Sequence, residues 1–280
     1  MAEWFDDFFF VYEALLRTLG INGILALSMY CVMALGQLSL GQAAFMGIGA
    51  YTGALVTLKL GLPFWLVLPV SAVAPAFVAL AIGGPTLRLS GVYLAFSTIA
   101  LGEILRIIYI NAEAITGGAV GLSGIPQKAG LGLIYGLLLI LVLGFWTIGR
   151  SRIGRAMEAM REDEMAADVM GVNLRLYKLG ALIVSAMLAG LAGCLAAHSN
   201  NFIGPGEYGF ETAVTILSFA LLGGIGTPVA PVIGAMVLTA LPELLRPLHD
   251  FRLVTNGVII VLAVLFLPRG IIPFRLRRVR

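Results

Sequence analysis

Long apolar runs, interrupted only by Gly, Pro and short charged turns, follow one another along almost the whole chain, and they decide what it can fold into. In hydrocarbon each backbone N–H and C=O must find a partner within its own segment, so such runs have to be helices. A helix needs about 20 apolar residues to cross a bilayer. Of the 280 residues 60% are hydrophobic and 12% charged, with a mean hydropathy of +1.00, outside the range of soluble domains. The chain is expected to be all-α and polytopic. One transmembrane domain, 1–280, would hold eight or nine spanning helices with Gly-rich or broken segments and little structure outside the membrane.

The spans are expected at residues 12–35, 39–59, 62–83, 90–110, 130–149, 177–198, 211–226, 228–246 and 253–268. Pro69, Pro75, Pro231 and Pro242 fall inside spans, where each removes a helical hydrogen bond and predicts a kink or break. Lys and Arg of short loops stay on the cytoplasmic side, so the basic residues orient the chain. With the 150–177 loop inside, twelve of the eighteen basic residues lie inside, including Arg269, Arg275, Arg277, Arg278 and Arg280 at a cytoplasmic C-terminus. Glu3, Asp6, Asp7, Glu113 and Glu207 then fall outside. Treating 39–59 as re-entrant leaves eight spans and a less consistent charge distribution. The acidic start does not look like a cleaved secretory signal.

Catalytic and metal chemistry find no support. There is no HExxH, no GxSxG and no GxxxxGK[ST], and neither His198 nor His249 has a partner at metal or triad spacing. Cys31 and Cys194 sit in apolar runs as small packing residues. The net charge of +3 follows topology and membrane contact, and predicts no nucleic-acid partner.

Residues 36–51 read GQLSLGQAAFMGIGAY. Close helix packing explains the glycines by themselves, because small residues let backbones approach. Polar Gln37, Ser39 and Gln42 beside them tilt the reading toward a substrate path. A second permissive stretch, GGIGTPVAPVIGA at 223–235, joins two spans through a short inner turn. In the sixth span Ser185, Ala189, Gly193 and Ala197 recur every fourth residue, with Ala186, Gly190 and Cys194 alongside, which predicts a close packing face. TGGAVGLSGIP, 116–126, is either a surface turn or an external rim on which a delivery protein docks, with Thr116, Gly117, Gly118 and Ser123 as rim candidates.

Glu103 and Arg106 are spaced to pair on one helix face, as are Glu243 and Arg246. Both pairs are expected toward outer helix ends, where charges snorkel; Glu103 is also a candidate for the substrate path.

The 151–178 stretch is the one sizeable cytoplasmic segment and contains REDEMAADVMG. It predicts two short helices, 154–161 and 163–170, the second capped by acid and ended by Gly171. Arg155–Glu158 and Arg161–Glu164 are spaced for surface pairs. Mixed charge and projecting Met and Ala side chains suit a soluble partner's groove better than anionic lipid.

Glu164, Ala166, Ala167 and Gly171 resemble the coupling loop of bacterial ABC import permeases. SRIGRAMEAMREDEMAADVMGVN, GQLSLGQAAFMGIGAY, STIALGEILR, TGGAVGLSGIP and GGIGTPVAPVIGA, in that chain, are similar to segments of the branched-chain amino-acid permease family, LivM type, from about residue 36 to 270. The resemblance implies a bacterial inner-membrane half-transporter for branched-chain or other aliphatic amino acids. Its expected partners are a second, LivH-like permease, two cytoplasmic ATPase subunits that bind ATP and Mg, and an external solute-binding protein. It implies no cofactor on this chain and no enzymatic activity of its own. Arg155, Arg161, Glu164, Ala166, Ala167 and Gly171 would couple to the ATPases. Ser39, Gly41, Gln42, Phe45, Gly49, Tyr51 and Glu103 would belong to the path. Gln42 departs from the family, whose members often carry His there. A urea or short-amide permease, or an ion-coupled transporter, are the alternatives.

Overall fold

A computed structural model describes residues 2–86, 89, 91–244 and 271 of the chain. The expected ninth span at 253–268, the basic tail, Arg88 and Arg246 lie outside the described residues. The helices are α1 (Ala2–Met33), α2 (Gln42–Leu60), α3 (Phe64–Thr86), α4 (Val92–Asn111), the single turn α5 (Glu113–Thr116), α6 (Leu131–Arg150), α7 (Arg152–Glu162), α8 (Glu164–Val169), α9 (Leu174–Asn200), α10 (Phe210–Gly223) and α11 (Val229–Leu244). Six of them, α1, α2, α3, α4, α6 and α9, are long and apolar enough to cross a membrane, and α10 and α11 are shorter apolar helices. A two-stranded antiparallel ribbon, β1 (Leu122–Ser123) with β2 (Phe202–Ile203), is a small departure from the all-α expectation.

α9 is the hub, and its small residues are the reason. An ideal Cβ on Gly193 would lie 2.0 Å from the Met46 carbonyl oxygen, and one on Gly49 2.1 Å from that of Gly190. Only glycine permits these backbones to meet. α2 therefore crosses α9 at van der Waals distance, which is how helices associate where lipid removes the hydrophobic drive. Gly190 also sits against α3, where a Cβ would come 2.4 Å from the Pro75 ring and 2.5 Å from the Ser71 carbonyl oxygen. Pro75 supplies no N–H to that carbonyl. α3 nonetheless runs as one helix through Pro69, Pro75 and Pro85, so the predicted break there is absent. Opposite α3, α1 packs on α9 through Cys31 and Ser28, whose Oγ lies 3.4 Å from that of Ser185.

Several buried polar groups of α2 and α9 find partners. Gln42 Nε2 donates to Ser185 Oγ at 3.3 Å. His198 is fully buried, with Nε2 2.9 Å from Thr57 Oγ1 and Nδ1 2.9 Å from the Cys194 carbonyl. Both cysteines are buried and unbridged.

α10 and α11 form a tight hairpin. Gly224 turns the chain at φ 92°, and a Cβ on Gly234 would fall 2.2 Å from the Phe219 carbonyl oxygen. The predicted start of the second span at 39 moves to Gln42, because Gly36 turns at φ 76° and residues 37–40 are non-helical.

Candidate functional site

The elbow formed by α7 and α8 is built from local caps. Ser151 Oγ accepts the Ile153 N–H at 3.1 Å to start α7, and Asp163 Oδ1 accepts those of Met165 and Ala166, at 2.9 and 3.0 Å, to start α8. Gly171 ends the unit at φ 86°. α8 has two faces. Ala167, 3% exposed, turns into the core beside Met160, while Met165, Val169 and Met170 are 82%, 87% and 83% exposed. The projecting apolar residues are thus Met165, Val169 and Met170, with Ala166 exposed beside them.

Two contacts tie the elbow to the membrane helices. Glu164 pairs with Lys178 in the second turn of α9, a correction to the expected Arg161–Glu164 pair. Asp163 breaks the helix between Arg161 and Glu164, so helical i, i+3 geometry does not carry across. Arg161 instead lies near Glu162, 3.9 Å away, and packs against Gly36, where a Cβ would come 3.5 Å from its Cγ. Nor does Arg155 make the expected pair with Glu158; its guanidinium reaches the Arg150 carbonyl at 3.5 Å. A cavity of about 280 Å³ separates the elbow from the 225–228 turn, with Arg150 stacked 5.2 Å over the Trp146 ring at its edge.

From Gly36 the chain runs directly into the predicted path segment. Ser39 Oγ accepts the Gly41 N–H at 3.3 Å, and the Leu40 N–H donates to Thr98 Oγ1 on α4 at 2.9 Å. Ser39, Gln42 and Phe45 are each 1% exposed. Within this chain, then, Gln42 and Gly49 fill the α2–α9 contact, Phe45 is buried beside Gly41, and Ser39 with Gly41 fixes the α2 entry against α4. None of them faces open space here.

The exposed polar face lies on α4. Arg106 Nη1 donates to Glu103 Oε2 at 2.9 Å, and Glu103 Oε1 accepts the Phe210 N–H at 3.3 Å, capping α10. The expected pair forms, but not at a helix end. Glu103 lies eight residues before Asn111, about 12 Å along the helix from its C-terminal end. Its side chain is 36% exposed and that of Arg106 41%. A charge at mid-span costs about 3 kcal/mol on insertion scales, so this face belongs against protein or a watered path and not lipid.

Above it three tyrosines converge. Tyr51 stacks on Tyr109 with ring centroids 4.3 Å apart, and Tyr208 meets Tyr51 edge-on at 5.9 Å. All three are buried, and their hydroxyls have no hydrogen-bond partner among the described residues. Gly47 makes room, since a Cβ there would be 2.9 Å from the Tyr208 ring. Neighbouring Glu207 is exposed, yet desolvation by the surrounding protein raises its carboxyl above the ordinary value. Tyr109 and Tyr208 were not singled out in the sequence. The spacing of Glu103, Arg106 and Tyr109, three residues apart each time, is the signal that marks one face of α4.

The 116–123 turn is ordered from within. Thr116 Oγ1 donates to the Tyr109 carbonyl at 2.6 Å, and Gly117 and Gly118 turn at φ 73° and 61°. Gly117 leaves only 2.1 Å between an ideal Cβ and the Gly121 carbonyl oxygen. Thr116 and Gly118 are buried, and the exposed residues of the turn are Ala119, Val120, which is 81% exposed, Ser123 and Gly124. Among the described residues there is no cluster of three or more His, Cys, Asp or Glu able to hold a metal.

Comparison with known proteins places this geometry. Residues 11–267 match the family model described as branched-chain amino acid transport system / permease component. The chain is 35% identical to the high-affinity branched-chain amino acid transport system permease protein LivM of Escherichia coli K12, and 34% identical to that of Salmonella typhimurium LT2. Each alignment covers 91% of this chain and 66% of the relative, so the chain spans just under two thirds of their length. It is also 24% identical to the ribose import permease protein RbsC of Haemophilus influenzae, over 92% of this chain and 86% of that protein. No solved structure matches the chain. A match over nearly its whole length makes this multi-pass membrane chain a member of the branched-chain amino acid transport system permease family.

Proposed function

We propose that the chain is the permease subunit of an ATP-driven importer for branched-chain or other aliphatic amino acids in the bacterial inner membrane, with a cytoplasmic C-terminus. The similarity to LivM supports the substrate class. One observation carries the mechanical part: α8 holds Met165, Val169 and Met170 outward while Glu164, Met160 and Ala167 fasten it to the bundle. A partner's groove would grip the outward residues as it grips other short amphipathic helices. Force on α8 then enters α9 through Lys178 and the α1–α2 turn through Arg161 and Gly36.

The partners are a LivH-like second permease, two ATPase subunits that carry ATP and Mg, and an external binding protein seated on the 116–123 rim. This chain catalyses no reaction. Rigid-body motion of helices packed glycine to glycine opens the path alternately to each side. The α4 face with Glu103 and Arg106 supplies the path's polar station, and Ser39 to Gln42 its inner hinge. Reconstituted vesicles with all partners test the reading. Uptake of leucine, competed by isoleucine and abolished when the ATPase is poisoned, is the expected result; ATP-independent uptake, or uptake of urea or ribose in place of leucine, would contradict it.

A further inference from the structure

We propose that Glu103, Arg106 and the first turn of α10 form a transfer site for the zwitterionic head of an α-amino acid, a proposal that rests on the permease reading above. Three features converge within hydrogen-bonding reach. Arg106 offers a planar guanidinium, suited to a carboxylate in a two-point contact. The start of α10 is a positive helix end, and Glu103 already occupies its Phe210 N–H at 3.3 Å as an anion would. Glu103 is the complementary acceptor for an ammonium group.

In the empty site Glu103 and Arg106 neutralise each other at 2.9 Å, while Glu211 adds an exposed carboxylate to the first turn of α10. An arriving zwitterion exchanges one internal pair for two external ones, its carboxylate on Arg106 and the α10 terminus, its ammonium on Glu103. Neither Glu103 nor Arg106 is left without an opposite charge at any point. Such an exchange holds the solute weakly, as a passage step requires. Ile107, one turn beyond Glu103 on α4 and 55% exposed, and Phe210, 52% exposed, offer apolar surface for an aliphatic side chain. A neutral sugar or amide has no use for this arrangement, because it would leave the ion pair to be desolvated without recompense.

The experiment uses the complete assembly in proteoliposomes and compares wild type with Glu103→Gln, Arg106→Gln, the neutral double variant, and the charge-reversed Glu103→Arg/Arg106→Glu double. Co-elution with the partners reports folding, and the maximal rate of leucine uptake is the readout. Each single variant is expected to lose at least tenfold in maximal rate, and both doubles to stay as slow as the slower single. Recovery to within twofold of wild type in either double would show that the pair merely links α4 to α10, and overturn the proposal. Failure of the singles to assemble while a double assembles would do the same, as would singles that transport leucine like wild type. In those cases the permease reading survives. Wild-type vesicles that accumulate ribose or urea but not leucine would sink both.

Discussion

Glu164 on α8 and Lys178 on α9 form an ion pair across fourteen residues of sequence, and this pair joins the α7–α8 elbow to the most central helix of the bundle. Lys178 is buried, while the Glu164 side chain is 48% exposed. Half-exposed pairs contribute about 1 kcal/mol or less to folding. Glu164→Gln is therefore expected to shift the thermal midpoint by only a few degrees. Its larger effect falls on coupling, read as a several-fold drop in substrate-stimulated ATP hydrolysis, with recovery in the Glu164→Lys/Lys178→Glu double. A double no better than the single would remove the pair from the force path.

The glycine contacts of α9 make a packing prediction. At Gly49 or Gly193 a methyl group must displace backbone, not a flexible side-chain end. Gly49→Ala and Gly193→Ala should each destabilise the chain by about 1–3 kcal/mol, as overpacked cores do. Gly136 on α6 has nothing within 4 Å of an ideal Cβ, so Gly136→Ala should be neutral or mildly stabilising. Thermal unfolding in detergent distinguishes them. Equal midpoints for all three would refute the close approach of α2 to α9.

The tyrosine cluster predicts the opposite sign. Hydroxyls of Tyr51, Tyr109 and Tyr208 are buried without a protein partner among the described residues, so the folded state gains little from them. Tyr109→Phe and Tyr208→Phe should each raise stability, by up to about 1–3 kcal/mol. Loss of more than about 2 kcal/mol would mean that these hydroxyls are engaged after all.

Gly171 lies at φ 86°, a region that a side chain with a branched Cβ avoids. Gly171→Val should cost about 1–3 kcal/mol locally and displace the end of α8. Co-purification of the ATPase should fall while the bundle stays folded. Wild-type co-purification would show that the end of α8 is not a gripping element.

What could be read from sequence follows the range of the physics involved. Six long apolar helices among the described residues, the small-residue face of α9, the Asp163 cap and the Gly171 stop depend on residues a few positions apart, and each stands in the structure near its expected place. Pairings across elements did not yield to the same reasoning. Arg161 and Glu164 have helical spacing, but the cap between them ends one helix and begins another, and Glu164 turns to Lys178. Tyr51, Tyr109 and Tyr208 come from α2, α4 and a 3₁₀ turn at Pro205–Tyr208, and only packing brings them together. Gln42 and Gly49 looked suited to a path because polar and flexible residues suit one. In the fold, Gln42 is spent on Ser185 and Gly49 on the Gly190 backbone.

Cys31 and Cys194 are buried, so a cysteine introduced on α8 can be labelled selectively. Val169→Cys, probed with a membrane-impermeant maleimide in sealed vesicles of both orientations, tests the elbow directly. Labelling confined to inside-out vesicles stripped of the ATPase, and blocked when that subunit is added back, is the result expected of a cytoplasmic lever. Labelling from the external face, or equal labelling with and without the ATPase, would contradict it.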